Sequence, residues 1–346
     1  MGLNINDYAL VLGINDYPGI TDRSLKGAVR DAERFRDWLQ DTAAGGGLPE
    51  TNVETIGSTP SPPKPLKDEV DEALSKLIKL AKEKLAKEDR KARRFYFFFS
   101  GHGIVPIERE STPTAFCLGK WTEDWRNYAL DSDCYVSYIV NTQRFDEVIL
   151  FADCCRLRKF RASGLCPSMG NISPGATPIR VRQFRAHATE LMDAAYEAAG
   201  AADTEVRGHF SQALLNGLWG GAADPGGGVP AMRLKEYLEK EVPRLANLAN
   251  HKQSPVIVPE FPTDQEPVFG SASPAPAKHN VLITFSAGTK GPISLEGPEI
   301  DRFQYTDAGV ETWPLSLCAG HYSLRGANGE LRFVVDSLNE VKDVTY

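Results

Sequence analysis

Residues 95–103 read FYFFFSGHG and residues 147–155 read EVILFADCC. Each is an apolar run of strand length that ends on a reactive side chain, the imidazole of His102 in the first and the thiol of Cys155 in the second. Short, continuous runs rich in Phe, Tyr, Val and Ile belong to strands buried on both faces. In open α/β sheets the groups that bind and react collect at the carboxyl ends of such strands. Were the two strands neighbours, His102 and Cys155 would face one another across one edge of the sheet. Taken singly, a Gly-flanked histidine is usually a turn residue and a buried cysteine a small core hydrophobe. The joint placement carries the chemical reading.

Outward from these two runs, strand and helix patterns alternate. Tyr8–Leu12 (YALVL) reads as a buried strand, followed by a turn rich in Gly, Asn and Pro over Gly13–Gly19. Leu25, Ala28, Val29, Ala32, Phe35, Trp38 and Leu39 then recur at helical spacing. Leu66, Val70, Leu74, Leu77, Ala81 and Leu85 form a second such stripe after the SPPKP loop. Thr114–Gly119 and Glu190–Tyr196 read as further strands, and Gly208–Gly220 and Arg233–Leu245 as helices. Alternation of this kind predicts right-handed crossovers and a mostly parallel sheet flanked by helices, a three-layer α/β/α architecture.

Later stretches break the pattern. The run RLRKFRASGLCPSMGNISPGATPIRVRQFR carries seven basic residues and no acidic one, and predicts a long basic loop over 156–187. Residues 271–277 read as a linker, so 1–270 and 278–346 are expected as separate domains. The second holds short alternating runs between Gly-rich turns: Val281–Phe285, Ile293–Glu296, Tyr322–Arg325 and Leu331–Val335. These predict a small antiparallel β domain.

Composition narrows the function classes. Apolar residues make up 42% and charged residues 25%, so a core of normal size can be buried. A net charge of −7 argues against general nucleic-acid binding, which leans on a basic face. The cysteines at 117, 134, 154, 155, 166 and 318 show no CxxC spacing, so no zinc site is expected. The adjacent Cys154 and Cys155 suit reduced thiols in a cytoplasm better than a disulfide framework. The N-terminus lacks the pattern of a secretory leader, and no run approaches the ~18 apolar residues of a membrane span. The expectation is a cytoplasmic chain with no membrane contact.

YFFFSGHG (96–103) and VILFADCC (148–155) resemble the two signature blocks of the caspase and metacaspase superfamily of cysteine peptidases. VLGINDYPG (11–19) with SLKGAVRDAERFRDWL (24–39) resembles its N-terminal block, GHFSQALLNGL (208–218) its post-catalytic helix, and KQSPVI (252–257) its final strand. The likeness spans roughly residues 5–260 and its blocks occur in the family's order. It implies a caspase-like fold and a His102–Cys155 dyad acting on protein or peptide substrates. It also implies an oxyanion hole from the amides of Gly103 and Cys155, and a pocket built by Asp31, Ser100 and Asp153 for the residue before the cut. Paired carboxylates favour a guanidinium or ammonium group there, so cleavage after Arg or Lys is expected. The basic run then offers bonds for self-processing at Arg156, Arg158, Lys159, Arg161, Arg180, Arg182 or Arg185.

The chain departs from that pattern in three places. Arg156-Leu157-Arg158 stands where metacaspases carry His-Ser-Gly, Ala28 where a Cys is common, and Ala194 and Ala195 where a Ser is common. No cofactor is required by this chemistry. Calcium activates some relatives, but no EF-hand-like loop assigns ligands here. Two other readings compete. A silent adaptor would bind a regulatory partner through the C-terminal β domain, and an acyltransferase or amidase would use the Cys–His pair on another α/β fold.

Overall fold

A computed structural model describes residues 4–20, 24–88, 92–106, 114–157, 164–170, 180–191, 193–199, 206–224, 226–270, 278–289, 291–297, 303–305, 312–318, 320–335 and 341–346. Six strands form the central sheet: β1 (Asp7–Gly13), β2 (Val53–Gly57), β3 (Ala92–Ser100), β4 (Phe145–Asp153), β5 (Arg182–His187) and β6 (Val256–Glu260). Their spatial order is β6-β5-β4-β3-β1-β2. Every pairing is parallel except that of β5 with β6. The two apolar runs, β3 and β4, are neighbours in register, with Ser100 opposite Asp153.

The period-2 alternation of a strand divides the aromatic run between two cores. Phe95, Phe97 and Phe99 pack on one face with the helices α2 (Lys67–Glu88) and α3 (Ser132–Asn141). Tyr96 and Phe98 pack on the other with α1 (Ala28–Gln40), α4 (His209–Asn216) and α5 (Ala231–Leu248). All five rings are fully buried. Each contributes about 1.5–3 kcal/mol by leaving water, which is why the run must sit at the middle of the sheet. The three-layer α/β/α architecture follows.

The charged residues at the other end of the sheet also fall in line. Asp7, Arg94, Glu147 and Arg182 occupy one row across β1, β3, β4 and β5, alternating in sign. Arg94 Nε is 2.5 Å from Glu147 Oε2, and Arg182 Nη2 is 2.8 Å from Glu147 Oε1. Opposite charges side by side stabilise one register, and a slip by one residue would break the whole row.

Several expectations are corrected. The strand beside β4 is Arg182–His187, inside the interval read as loop, and the described residues of the expected strand Glu190–Tyr196, 190–191 and 193–196, are irregular backbone. The alternation in RQFRAH explains it. Phe184 and Ala186 point into the core while Arg185 reaches Asp133 at 3.0 Å, so the positive charge hid a real strand. The expectation of reduced thiols fails at Cys134 and Cys166, which form a disulfide. Leu165 pairs with the strand at Ala129–Asp131 and thereby carries Cys166 to the first turn of α3, a proximity that spacing in the chain could not reveal. Arg158, Lys159, Arg161 and the expected linker 271–277 lie outside the described residues.

The C-terminal strands build two sheets around a core of their own, which includes Val281, Ile283, Leu295, Tyr322, Leu324 and Phe333. One sheet orders 312–318, 278–284 and 341–345; the other orders 303–305, 293–296, 320–326 and 329–335. The expected antiparallel pairing holds except between 278–284 and 341–345, which run parallel. Contacts with α5 include Arg244 Nη2 donating to the His321 carbonyl at 2.7 Å and Arg332 Nη1 to the Leu248 carbonyl at 3.0 Å. Among the described residues no helix is long and apolar enough to cross a membrane.

Candidate active site

His102 sits in the turn that leaves β3, and its backbone is held from both sides. Its N–H donates to the Tyr17 hydroxyl at 2.8 Å, and its carbonyl accepts from Cys117 N at 2.9 Å. The Tyr17 hydroxyl in turn donates to the Cys117 carbonyl at 3.3 Å, and its ring lies 4.5 Å from the imidazole. Tyr17 is fully buried, so this support is rigid, and burial pushes its phenol well above the usual range.

Cys155 follows the end of β4. Cys154 is buried in the core, whereas Cys155 is partly exposed. That division is the strand alternation carried one step past the sheet. The Ala195 N–H points at Cys155 Sγ from 3.3 Å, and the Ala195 carbonyl is 3.6 Å away. Gly103 explains how the two turns come so close. A Cβ there would lie 2.5 Å from the Cys155 carbonyl oxygen and 2.6 Å from Cys154 Sγ, so only glycine fits.

His102, Cys155, Asp31, Ser100 and Asp153 all line one cleft. Gly103 does not; it is buried behind the imidazole turn and pairs with Phe116 in a small side sheet. The carboxylates form the floor. Asp31, in the first turn of α1, is fully buried and accepts from Gly208 N at 2.9 Å. Asp153, the last residue of β4, accepts from Ser211 N at 2.9 Å. Gly208 lies between them: a Cβ there would be 2.1 Å from Asp153 Oδ2 and 3.2 Å from Asp31 Oδ2. Burial, then proximity to Asp153, pushes Asp31 up to about 7 against the pull of Arg207. Burial, with Glu197 adding to it, pushes Asp153 up to about 6.

Sequence reasoning missed four contributors. Tyr17 lay inside a block valued only for resemblance, and Ala195 acts through its backbone, which no sequence pattern displays. Glu197 lines the cleft and accepts from Lys26 N at 2.8 Å and Gly27 N at 2.9 Å, capping α1 in place of a side-chain N-cap. Arg207 reaches Asp31 from behind, with Nε 3.4 Å from Oδ1. Among the described residues no cluster of His, Cys, Asp and Glu is placed to hold a metal ion.

The sequence matches the caspase domain of peptidase family C14 over residues 6–265, and the chain belongs to that family. It is 30% identical over 220 residues to a probable protease from a Desulfuromonadales bacterium. That match covers 62% of this chain and only 26% of the relative, which is a much longer protein. Among solved structures it is similar to caspase-1 from Spodoptera frugiperda, with a TM-score of 0.46 and 12% identity over 75% of this chain and 88% of the other. A Geobacter sulfurreducens protein gives a TM-score of 0.42 and 16% identity, over 78% of this chain and 98% of the other.

Proposed function

We propose that this chain is a cysteine endopeptidase that cuts protein substrates after Arg or Lys. One observation carries the reading: a partly exposed thiol, an imidazole and two buried carboxylates share a single cleft at the carboxyl edge of a parallel sheet. The Cys155 thiol gives its proton to His102, and the thiolate attacks the scissile carbonyl carbon. The amide of Cys155 is the proposed donor to the oxyanion; Gly103, expected as the second donor, does not line the cleft. His102 then returns the proton to the departing amine, leaving an acyl-enzyme thioester that water hydrolyses. Asp31 and Asp153 receive the cationic side chain that precedes the cut, with Ser100 beside them.

Two pairings narrow the bonds open to self-processing. Arg182 is tied to Glu147 inside β5 and Arg185 to Asp133, so neither presents an extended, accessible bond. Arg156 is buried and its Nε donates to Thr114 Oγ1 at 3.1 Å, which removes it as well, so Arg158, Lys159, Arg161 and Arg180 are the proposed sites. Intact-mass analysis after prolonged incubation should show chains ending at one of these four; an uncut chain rejects self-processing.

Arg-, Lys- and Asp-ending fluorogenic peptides, offered to wild type and Cys155→Ala with and without calcium, test the main reading. Hydrolysis after Arg or Lys that vanishes in Cys155→Ala is expected. Preference for Asp rejects the pocket, and activity that survives Cys155→Ala rejects the nucleophile.

A further inference from the structure

The cleft described above has an imbalance of charge. Among the described residues Asp31, Asp153 and Glu197 line it, and no Lys or Arg does. Arg207 approaches from outside the lining, in the short strand Val206–Gly208. Successive residues of a strand point to opposite sides. Gly208 lines the cleft with its missing side chain toward the two carboxylates, while Arg207, outside the lining, reaches Asp31, both side chains of the pair being under a tenth exposed. A guanidinium never gives up its proton in a protein, so this is a permanent positive charge one carboxylate deep beneath the floor.

We infer that Arg207 is a positioning residue for substrate selection: it favours the ionised form of Asp31, and so favours entry of a cationic side chain into the cleft near neutral pH. This rests on the proposed cleavage after Arg or Lys. A carboxyl buried beside another carboxyl takes up a proton unless a fixed cation opposes it. The charges facing Asp31 are Arg207, Asp153 and Glu197, with His102 and Cys155 in the same cleft. Without Arg207 the first of these is gone and the carboxylates beside Asp31 remain. Asp31 then holds its proton to higher pH, and an arriving guanidinium must displace it. Desolvation already holds Asp31 at about 7 with Arg207 in place, so a small change in its partner changes its state near neutrality.

Two measurements on the full chain test this. In wild type and Arg207→Met, KM and kcat for an Arg-ending peptide are followed from pH 6 to 9. The expected result is a KM raised about tenfold near pH 6.5, returning toward wild type by pH 9, with kcat changed less than about twofold and with rescue by Arg207→Lys. A KM raised equally at all pH values indicates a merely structural role and overturns the inference, as does an unchanged KM. Independently of any substrate, carbon-13 NMR of aspartate-labelled Cys155→Ala protein follows the Asp31 carboxyl, assigned with Asp31→Asn. An upward shift of its titration in Arg207→Met is expected; none overturns the inference. Should wild type ignore Arg- and Lys-ending peptides, the specificity reading fails, while the titration still decides the part played by Arg207. Should Arg207→Met not fold, Arg207→Gln carries the same expectations.

Discussion

The sheet buries ionic groups at both ends, and the two clusters are built differently. At the amino end Asp7, Arg94, Glu147 and Arg182 alternate in one row, and Arg93 pairs with Asp7, its Nε donating to Oδ1 at 2.7 Å. Arg94 also donates to the Tyr96 hydroxyl at 2.8 Å and the Val268 carbonyl at 3.1 Å, and lies over the Phe269 ring. At the carboxyl end Asp31 and Asp153 share one guanidinium, that of Arg207, and both carboxyls are pushed upward. A buried charge is tolerated when it is paired and its hydrogen bonds are filled. The first cluster meets that condition with the chain's own residues. The second sets two carboxylates against one cation, which is the arrangement the proposed cleavage after Arg or Lys requires.

The largest effect that would break this contrast is chemical. Cys155→Ala and His102→Ala should each lower kcat/KM for an Arg-ending peptide by at least about 10³-fold, as for other nucleophile–base pairs. Their thermal midpoints should stay near wild type, since the pair sits in the cleft rather than in a core. A comparable loss from a variant of the amino-end row, at equal folded fraction, would dissolve the division of labour.

Next comes stability at the amino end. Glu147→Ala leaves Arg94 buried without its acid and should cost about 3–5 kcal/mol, read from urea unfolding. A loss within about 0.5 kcal/mol would mean that the row does not hold the register as argued.

The carboxyl end should respond to pH with the opposite sign from an ordinary paired carboxylate. Burial pushes Asp31 up to about 7 and Asp153 up to about 6, both above the usual carboxylate value of about 3.9. Their neutral forms are favoured on folding, so this contribution is complete below about pH 4 and is lost as pH rises through 6 and 7. Asp31→Asn should reduce the drop in unfolding free energy between pH 4.5 and 7.5 by about 1–3 kcal/mol. The same deprotonation should make kcat/KM for Arg-ending peptides rise over pH 6–7. A pH slope of stability unchanged in Asp31→Asn would remove the asymmetry between the two ends.

The smallest effect concerns the imidazole's support. Tyr17→Phe removes the oxygen that accepts the His102 N–H and should cost about 1–2 kcal/mol, split between stability and kcat. An unchanged kcat with a lowered melting point would make Tyr17 a packing residue only.

How much of this was legible beforehand differs by element. The strands ending at Ser100 and Asp153 were, because a strand buried on both faces must be apolar throughout and so is written plainly in one stretch of chain. The helical stripes from Ala28 and from Val70 were legible for the same reason, since 3.6-residue periodicity is local. Strand Arg182–His187 was not. Four of its six side chains are polar or charged, and only the neighbours that receive them, Glu147 and Asp133 among others, make them compatible with a sheet. Glu197 and Arg207 carried no signal at all.

What the amino-acid sequence alone determined is therefore the order of buried strands, the helical layers around them, and the reactive residues at two strand ends. Tertiary structure decided which charges meet: Asp31 with Arg207 at 176 positions' separation, and Cys134 with Cys166 across 32. Apolar burial is a property of each residue with water and shows in local pattern. Ionisation and pairing depend on distance and dielectric between residues remote in the chain, and these exist only once it has folded.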